Sequence, residues 1–229
     1  MLVDLATFGI APTAIGDEQN LNYAVPNYLY GGKTYGRIGV VSNGYIVVGG
    51  SDSQSDISYL PQTFPDVTPP NGVLAPYWTD LDGAGAPGVR IAILTSAGNK
   101  WIVVQWNTHV WGDPSSADSR NMQVWIGING TEDISYAYDT NTIGVDAPAG
   151  FGLTVGAENV TGSAGAQITE PPAGSYVVTT TPGVPGGSLS YSLSLKATGQ
   201  GRQSLTSVMR ADVVAGLTRV ITPITVTRH

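Results

Sequence analysis

The stretch RIGVVSNGYIVVGG, residues 37–50, decides the fold class. Runs of Val, Ile and Tyr stand on both sides of Asn43 and Gly44, and such β-branched and aromatic residues favour pleated, half-buried strands. The Asn-Gly dipeptide suits the positive φ angles of a two-residue hairpin turn. This stretch therefore predicts a strand, a tight turn and a second, antiparallel strand.

Similar strand-and-turn patterns continue along the chain. Asn129-Gly130 interrupts MQVWIGINGTEDISYAYDT (122–140) in the same way, and GVRIAILTSAGNKWIVVQWNTHVW (88–111) predicts two strands joined around residues 96–99. No segment longer than about ten residues keeps a helical period. The 30 Gly and 15 Pro, with only 12% charged residues, are typical of many short strands separated by turns. We therefore predict an all-β fold, with an antiparallel β-sandwich or jelly roll over residues 1–165.

The chain changes character near residue 165. The segment GAQITEPPAGSYVVTTTPGVPGG (165–187) contains tandem prolines and a Pro-Gly cluster, and alternating stretches such as SLSYSLSLKATG (188–199) follow it. The few strands that fit in this tail would be marginally stable alone. We therefore predict a small second β unit over residues 166–229, docked on the first.

Charge and composition exclude several classes of partner. Seventeen acidic and ten basic residues give a net charge of −7, which disfavours binding to nucleic acid or anionic lipid. The chain has no cysteine, so it has neither disulfides nor a thiol nucleophile. No stretch approaches the roughly 18 apolar residues that span a bilayer. The start, MLVDLATFGI, lacks a basic segment before an apolar one, so we expect any signal peptide to lie upstream of Met1.

Two acids in APYWTDLDG (75–83) are candidate metal ligands. Asp80 and Asp82 alternate and so share one side of a strand, where both could face a Ca²⁺ ion, which binds roughly six to eight oxygens. Further oxygens would come from neighbouring loops, at Asp52, Asp56, Asp113 or Asp118. Alternatively, the two acids cap backbone N–H groups at the strand end. A third reading makes them the acid and base of a glycosidase, which needs a sugar-holding cleft as well.

Alternation also separates two faces of the strand WIVVQWNTHVW (101–111). Its even-numbered residues are apolar and predict a core face, as they do in MQVWIGI (122–128). The expected outer face combines aromatic and polar side chains from both strands: Asn107, His109, Trp111, Gln123 and Trp125. Such a face is suited to binding sugars, or else it is covered by the C-terminal β unit, with the indole N–H groups hydrogen-bonded.

Catalysis is not expected from these residues. Only His109 is a realistic base for a Ser-His-Asp site, because His229 is the last residue. A lone strand histidine is more often a structural residue than a general base. We therefore predict that the chain is not an enzyme.

An ordered series of motifs resembles a known module. The motifs are YLYGGKTYGRIGVVSNGYIVVGG, LPQTFPDVTPPNGVLAPYWTDLDG, KWIVVQWNTHVW, NMQVWIGINGTEDISYAY and GFGLTVGAENVTGSAG. Together they cover about residues 20–165. The series resembles the β-sandwich region C-terminal to the catalytic domain in many secreted bacterial subtilisin-like serine proteases, and more distantly the nidogen-type extracellular domain. Residues 166–229 resemble the short fibronectin-like tail that closes such proteases.

The resemblance implies a secreted, non-catalytic accessory domain. Its partners would be the catalytic domain of the parent protease, together with a protein substrate, a polysaccharide or the cell surface. The chain itself contains no HGTH or GTSM motif of a subtilisin. The alternative hypothesis is a carbohydrate-binding or adhesion module that acts through Trp111 and Trp125.

Overall fold

The computed structural model describes residues 2–113, 119–143 and 150–170, together with three further strands at 176–178, 201–210 and 217–226. The described residues form fourteen strands and two short 3₁₀ turns, Leu5–Phe8 and Gln54–Asp56. In chain order the strands are β1 Asn20–Tyr30, β2 Lys33–Val41, β3 Tyr45–Val48, β4 Val73–Trp78, β5 Leu81–Asp82, β6 Gly88–Ser96, β7 Asn99–Val110, β8 Ser119–Gly127, β9 Ile134–Tyr138, β10 Thr154–Glu158, β11 Gly165–Ile168, β12 Tyr176–Val178, β13 Gly201–Arg210 and β14 Leu217–Val226.

Two antiparallel sheets form the first compact unit, Met1–Pro182. The first sheet has the strand order β1-β2-β3-β4-β10-β11, and the second has the order β12-β9-β8-β7-β5, with β6 also paired to β7. One core of apolar side chains lies between them, so the prediction of an all-β antiparallel sandwich is confirmed. In the described part of the chain, no helix is long and apolar enough to cross a membrane.

The core follows the alternation expected from the sequence. Trp106 and Met122 lie opposite one another on β7 and β8, and both side chains are fully buried. The Trp106 indole N–H donates a hydrogen bond to the Val41 carbonyl of the first sheet, 2.9 Å away. The other even-numbered core residues of this strand pair are Ile102, Val104, Val124 and Ile126.

The middle of the first sheet, at β3 and β4, is buried on both faces, which the sequence did not predict. Behind β3 and β4, Trp78 packs against Tyr45 at a ring-centroid distance of 4.3 Å and against Phe64 at 6.1 Å. The Trp78 indole N–H donates to the Ser58 carbonyl, and the Tyr45 hydroxyl donates to the Asp56 carbonyl. The loop between β3 and β4 therefore forms a second, smaller core on the outside of the sheet.

The Asn43-Gly44 turn joins β2 to β3 as predicted, but its loop has three residues instead of two. Val41 pairs with Tyr45, and Gly44 has a φ of 78°, the left-handed residue that a three-residue hairpin loop requires. A Cβ atom at this position would also collide with the Tyr77 carbonyl oxygen. The tip of this hairpin is therefore pressed against the end of β4.

The second Asn-Gly dipeptide does not form the predicted tight turn. Ile126 and Ile134 are the last paired residues of β8 and β9, so residues 128–133 make a longer loop. Within it, the Asn129 side chain accepts a hydrogen bond from the Lys100 N–H at 2.9 Å and donates one to the Lys100 carbonyl. Asn129 thus anchors the loop to the start of β7 instead of turning the chain.

The sandwich extends beyond the boundary predicted at residue 165. Strand β11 pairs with β10 in the first sheet, and β12 pairs with β9 in the second. These ladder hydrogen bonds place both strands in the first unit, which ends at Pro182. The second unit, Gly183–His229, contains the antiparallel pair β13 and β14. Its predicted docking on the sandwich and its fibronectin-like character stay predictions.

Candidate functional site

Asp80 lies where the chain leaves the first sheet and enters the second, between β4 and β5. The hairpin tip holds this crossover on one side, because the Asn43 side chain accepts the Leu81 N–H at 2.9 Å and the Asn43 carbonyl accepts the Thr79 N–H. On the other side, the Trp111 N–H donates to the Asp80 carbonyl at 3.1 Å. The backbone of Asp80 is therefore fixed by both sheets, and its side chain is only 4% exposed.

The segment before β1 brings two more acids to the crossover. Carboxylate oxygens of Asp17, Glu18 and Asp80 all lie within 4.8 Å of one another. Asp17 and Glu18 are exposed, whereas Asp80 is buried. Glu18 also has a φ of 41°, a backbone conformation that is uncommon outside glycine. We call these three residues, with Trp111 beside them, the crossover site.

The same hairpin tip positions both halves of the crossover site. The Ser42 hydroxyl accepts the Gln19 N–H at 3.1 Å, and the Ser42 N–H donates to the Gln19 carbonyl at 2.8 Å. The Gln19 side chain accepts the Gly16 N–H, which closes the loop that carries Asp17 and Glu18. The turn that decides the fold therefore also places the acids.

The crossover site concentrates negative charge, because the charged groups that act on Asp80 are carboxylates. Burial, followed by the charges of Asp17, Glu18 and Asp82, raises the pKa of Asp80 to about 6. Burial and neighbouring carboxylates also raise the pKa values of Asp17 and Glu18, while a hydrogen bond from the Trp111 side chain opposes the rise at Asp17. Oδ1 of Asp80 is buried and has no hydrogen-bond partner in the described part of the chain.

The other predicted oxygen ligands have different roles. Asp82 is near enough to act on Asp80, but its Oδ1 accepts the Ala84 N–H at 2.6 Å, as the capping alternative predicted. Asp52 forms a bidentate ion pair with Arg37, with N–O distances of 2.7 and 2.5 Å. Asp56 lies in the 3₁₀ turn between β3 and β4. Asp113 is not among the three clustered acids, and Asp118 lies outside the described residues.

The polar outer face of the second sheet is occupied by the chain's own N-terminal segment. Gln123 and Gln105 lie opposite one another and are fully buried. The Gln123 amide donates to the Val3 carbonyl at 2.6 Å, and the Gln105 side-chain carbonyl accepts the Leu5 N–H at 2.8 Å. The Gln105 amide also donates to the Asp4 carboxylate at 3.0 Å. Residues 3–5 therefore cover the middle of the face on which a sugar site was predicted.

The predicted aromatic surface is divided into two separate places. Trp125 lies opposite Val103 of β7, whereas Trp111 directly follows the end of β7, eight residues from Val103, a distance of about 26 Å at the usual strand rise. Trp125 is half-buried, packs edge-on against Trp101 and donates its indole N–H to Gln123. Asn107 is half-buried and accepts a hydrogen bond from the Ser119 hydroxyl at 3.3 Å.

Trp111 is the predicted aromatic residue that remains open to solvent. Its side chain is 48% exposed and packs edge-on against Phe151, with ring centroids 6.0 Å apart. Its side chain lies near enough to Asp17 to lower the pKa of that carboxyl, so the ring stands beside the acidic cluster. An exposed aromatic ring and three carboxylates thus share the end of the sandwich at which β4 stops.

His109 is buried and lies close to the same end. It is 8% exposed and pairs with Ser119 and Asp82 on the neighbouring strands. Its Nδ1 has no hydrogen-bond partner in the described part of the chain. A Ser-His-Asp relay uses one ring nitrogen for the nucleophile and the other for the orienting carboxylate. Within the described residues, His109 therefore lacks one of the two hydrogen bonds that such a relay requires.

Comparison with known proteins identifies the family of the chain. No curated protein and no solved structure matches the chain. A family model described as NIDO related matches residues 11–185, a range that contains all strands of both sheets. The match supports the nidogen-type part of the sequence resemblance and, in general terms, an extracellular accessory domain. The chain belongs to the NIDO-related family.

Proposed function

We propose that the chain is a non-catalytic accessory domain of a secreted subtilisin-like serine protease, which supports the enzyme or holds its substrate or a surface. The family match over residues 11–185 carries the proposal, because it indicates an extracellular accessory domain. The ordered motifs of residues 20–165 support the finer assignment to a protease parent.

The state of the polar side chains supports a role without catalysis. Gln105 and Gln123 are used to bind the N-terminal segment, and His109 is buried with one ring nitrogen unpartnered. The two glutamines are therefore engaged in the fold, and burial closes His109 to a substrate. A rigid sandwich of this kind acts by holding surfaces in place.

The N-terminal segment provides a mechanical connection in this proposal. It is bonded across the second sheet at Val3 and Leu5, and again at Thr13, which exchanges two backbone hydrogen bonds with Val89 at 2.7 and 2.9 Å. A catalytic domain upstream would connect through this segment. Its position relative to the sandwich would then be set by a series of hydrogen bonds and not by a free linker.

The coding sequence upstream of Met1 tests the parentage. We expect a subtilisin-like catalytic domain in the same reading frame, and an export signal directly before Leu2 would contradict it. In the full-length enzyme, Gln123→Ala should lower the midpoint of thermal inactivation while kcat at low temperature stays unchanged. An identical midpoint would argue against mechanical support through this segment.

A carbohydrate-binding or adhesion module is the second candidate, favoured by the exposure of Trp111 beside Phe151. Indole rings open to solvent stack on sugars, and such a contact changes tryptophan emission. Titration of the chain with a panel of polysaccharides should change its fluorescence, and Trp111→Ala should abolish the change. Trp101→Phe is the matched control, because Trp101 lies at the opposite end of β7. No response to any polysaccharide would contradict this candidate.

A further inference from the structure

We propose that Asp17, Glu18 and Asp80 form a binding site for a divalent cation of the Ca²⁺ type, which fastens the segment before β1 to the β4–β5 crossover. The site differs from the pair Asp80 and Asp82 that the sequence indicated. It joins two segments that are distant in the chain and adjacent in the fold.

The spacing of the three carboxylates fits one ion. Ca²⁺ binds oxygen at about 2.3–2.6 Å, so two of its ligands can be separated by up to about 5.2 Å. The oxygens of Asp17, Glu18 and Asp80 lie within 4.8 Å of one another. Small side-chain rotations would therefore bring all three oxygens into contact with a single Ca²⁺ ion. Asp17 and Glu18 are exposed, so water can complete the coordination from the open side.

A second observation at Asp80 also points to a ligand. Its side chain is only 4% exposed, its carboxylate faces the other two acids, and its Oδ1 is a buried oxygen with no hydrogen-bond partner in the described residues. A buried carboxylate oxygen without a partner is costly, and buried charges are normally paired or bound to metal. The hairpin tip and the Trp111 N–H fix the backbone on both sides of this side chain, which keeps its carboxylate at the crossover.

Charge at the site has the sign that a cation requires. The charged groups that act on Asp80 are Asp17, Glu18 and Asp82, all of them carboxylates. The oxygen ligands are hard and carry negative charge, which selects Ca²⁺-type ions over the softer metals that prefer nitrogen or sulfur. Three carboxylates around one divalent ion would replace mutual repulsion with attraction.

Calcium titration of the purified chain tests the proposal. After treatment with chelator, we expect calorimetry to detect one site, and Ca²⁺ at 100 times its Kd should raise the Tm by about 5–10 °C. Mg²⁺ at the same concentration should have a smaller effect, because it requires shorter and more regular coordination. Equal Tm values in calcium and in chelator, with no heat of binding, would overturn the proposal.

Two isosteric variants separate the site from general charge effects. Asp80→Asn should abolish the calcium response, yet its Tm in chelator should equal or exceed that of the wild type, because the variant removes a buried unpaired charge. Asp66→Asn is the matched control: Asp66 caps Thr68 near the opposite end of β4, and this variant should keep the full response. If Asp80→Asn fails to fold, Glu18→Gln at the exposed position should weaken calcium binding at least tenfold. A full calcium response in Glu18→Gln and Asp80→Asn would also overturn the proposal.

Terbium gives a readout of position. Tb³⁺ occupies Ca²⁺ sites and emits when a nearby indole is excited, and the Trp111 side chain lies beside Asp17. Sensitised emission should appear in the wild type, fall in Trp111→Phe and be absent in Asp80→Asn. Emission that is unchanged in both variants would place the bound ion elsewhere.

Discussion

Glu158 should make the sandwich less stable as the pH rises. This residue ends β10 and is 1% exposed; its Oε2 accepts the Asp66 N–H at 2.7 Å, while its Oε1 is buried without a partner in the described residues. Burial, followed by the charge of Asp66, raises the pKa of Glu158 to about 7 from an ordinary value of 4.5, against the lowering effect of the Asp66 N–H. The folded state therefore keeps a proton that the unfolded state has released.

The sign and size of the effect follow from that difference. Between pH 4.5 and 7 the folded chain binds more protons at this site than the unfolded chain, so the free energy of unfolding falls as the pH rises. The stabilisation is fully present below pH 4.5 and lost above pH 7. A shift of about 2.5 pKa units corresponds to at most about 3.5 kcal/mol, since each unit contributes about 1.4 kcal/mol.

Urea denaturation at pH 4.5 and at pH 8 measures this effect when the wild type is compared with Glu158→Gln. The variant keeps an acceptor for the Asp66 N–H but cannot ionise. We expect the wild type to lose about 2–3 kcal/mol more than the variant between the two pH values, and other titrating groups cancel in the comparison. Parallel losses in the two proteins would refute the assignment of an uncompensated buried carboxyl group at Glu158.

Three further substitutions test the packing. Gly44→Ala should lower the free energy of unfolding, measured by urea denaturation, by at least about 2 kcal/mol, because of the positive φ and the collision with the Tyr77 carbonyl. A loss below about 0.5 kcal/mol would contradict the close approach of turn and strand. Trp78→Ala should lower the free energy of unfolding by about 3–5 kcal/mol, although the residue lies outside the main core. A loss as small as that expected for an exposed residue would contradict the second core. Gln123→Ala should speed amide exchange at Val3 and cost about 1–2 kcal/mol, and unchanged exchange there would contradict the anchoring of the N-terminal segment.

Local patterns predicted the elements of the sandwich, because strand alternation depends only on neighbouring residues. The even-numbered residues of β7 and β8 are the core, and the turn at Asn43-Gly44 is where the sequence placed it. Local patterns did not predict the structure where contacts between distant residues determine the conformation of a loop. Asn129-Gly130 has the same chemistry as Asn43-Gly44, yet the Asn129 side chain binds Lys100 and opens the turn into a loop.

The candidate site was predicted only in part for the same reason. Asp80 was singled out from its strand-end context, but Asp17 and Glu18 approach it through the folding of a distant segment onto the hairpin tip. The adjacent Asp-Glu pair before the first strand was the only local signal for these ligands. Likewise, alternation correctly placed Gln123 on the outer face, but it could not indicate that residues 3–5 would cover that face.

The central claim is that this domain holds other molecules without transforming them. Its most direct test incubates the purified chain, in calcium and in chelator, with casein and with a panel of polysaccharides, and measures released peptides and reducing sugars. The account predicts no release above the buffer blank, for the wild type and for Asp80→Asn alike. Product release by the wild type that survives repurification and disappears in Asp80→Asn would contradict it.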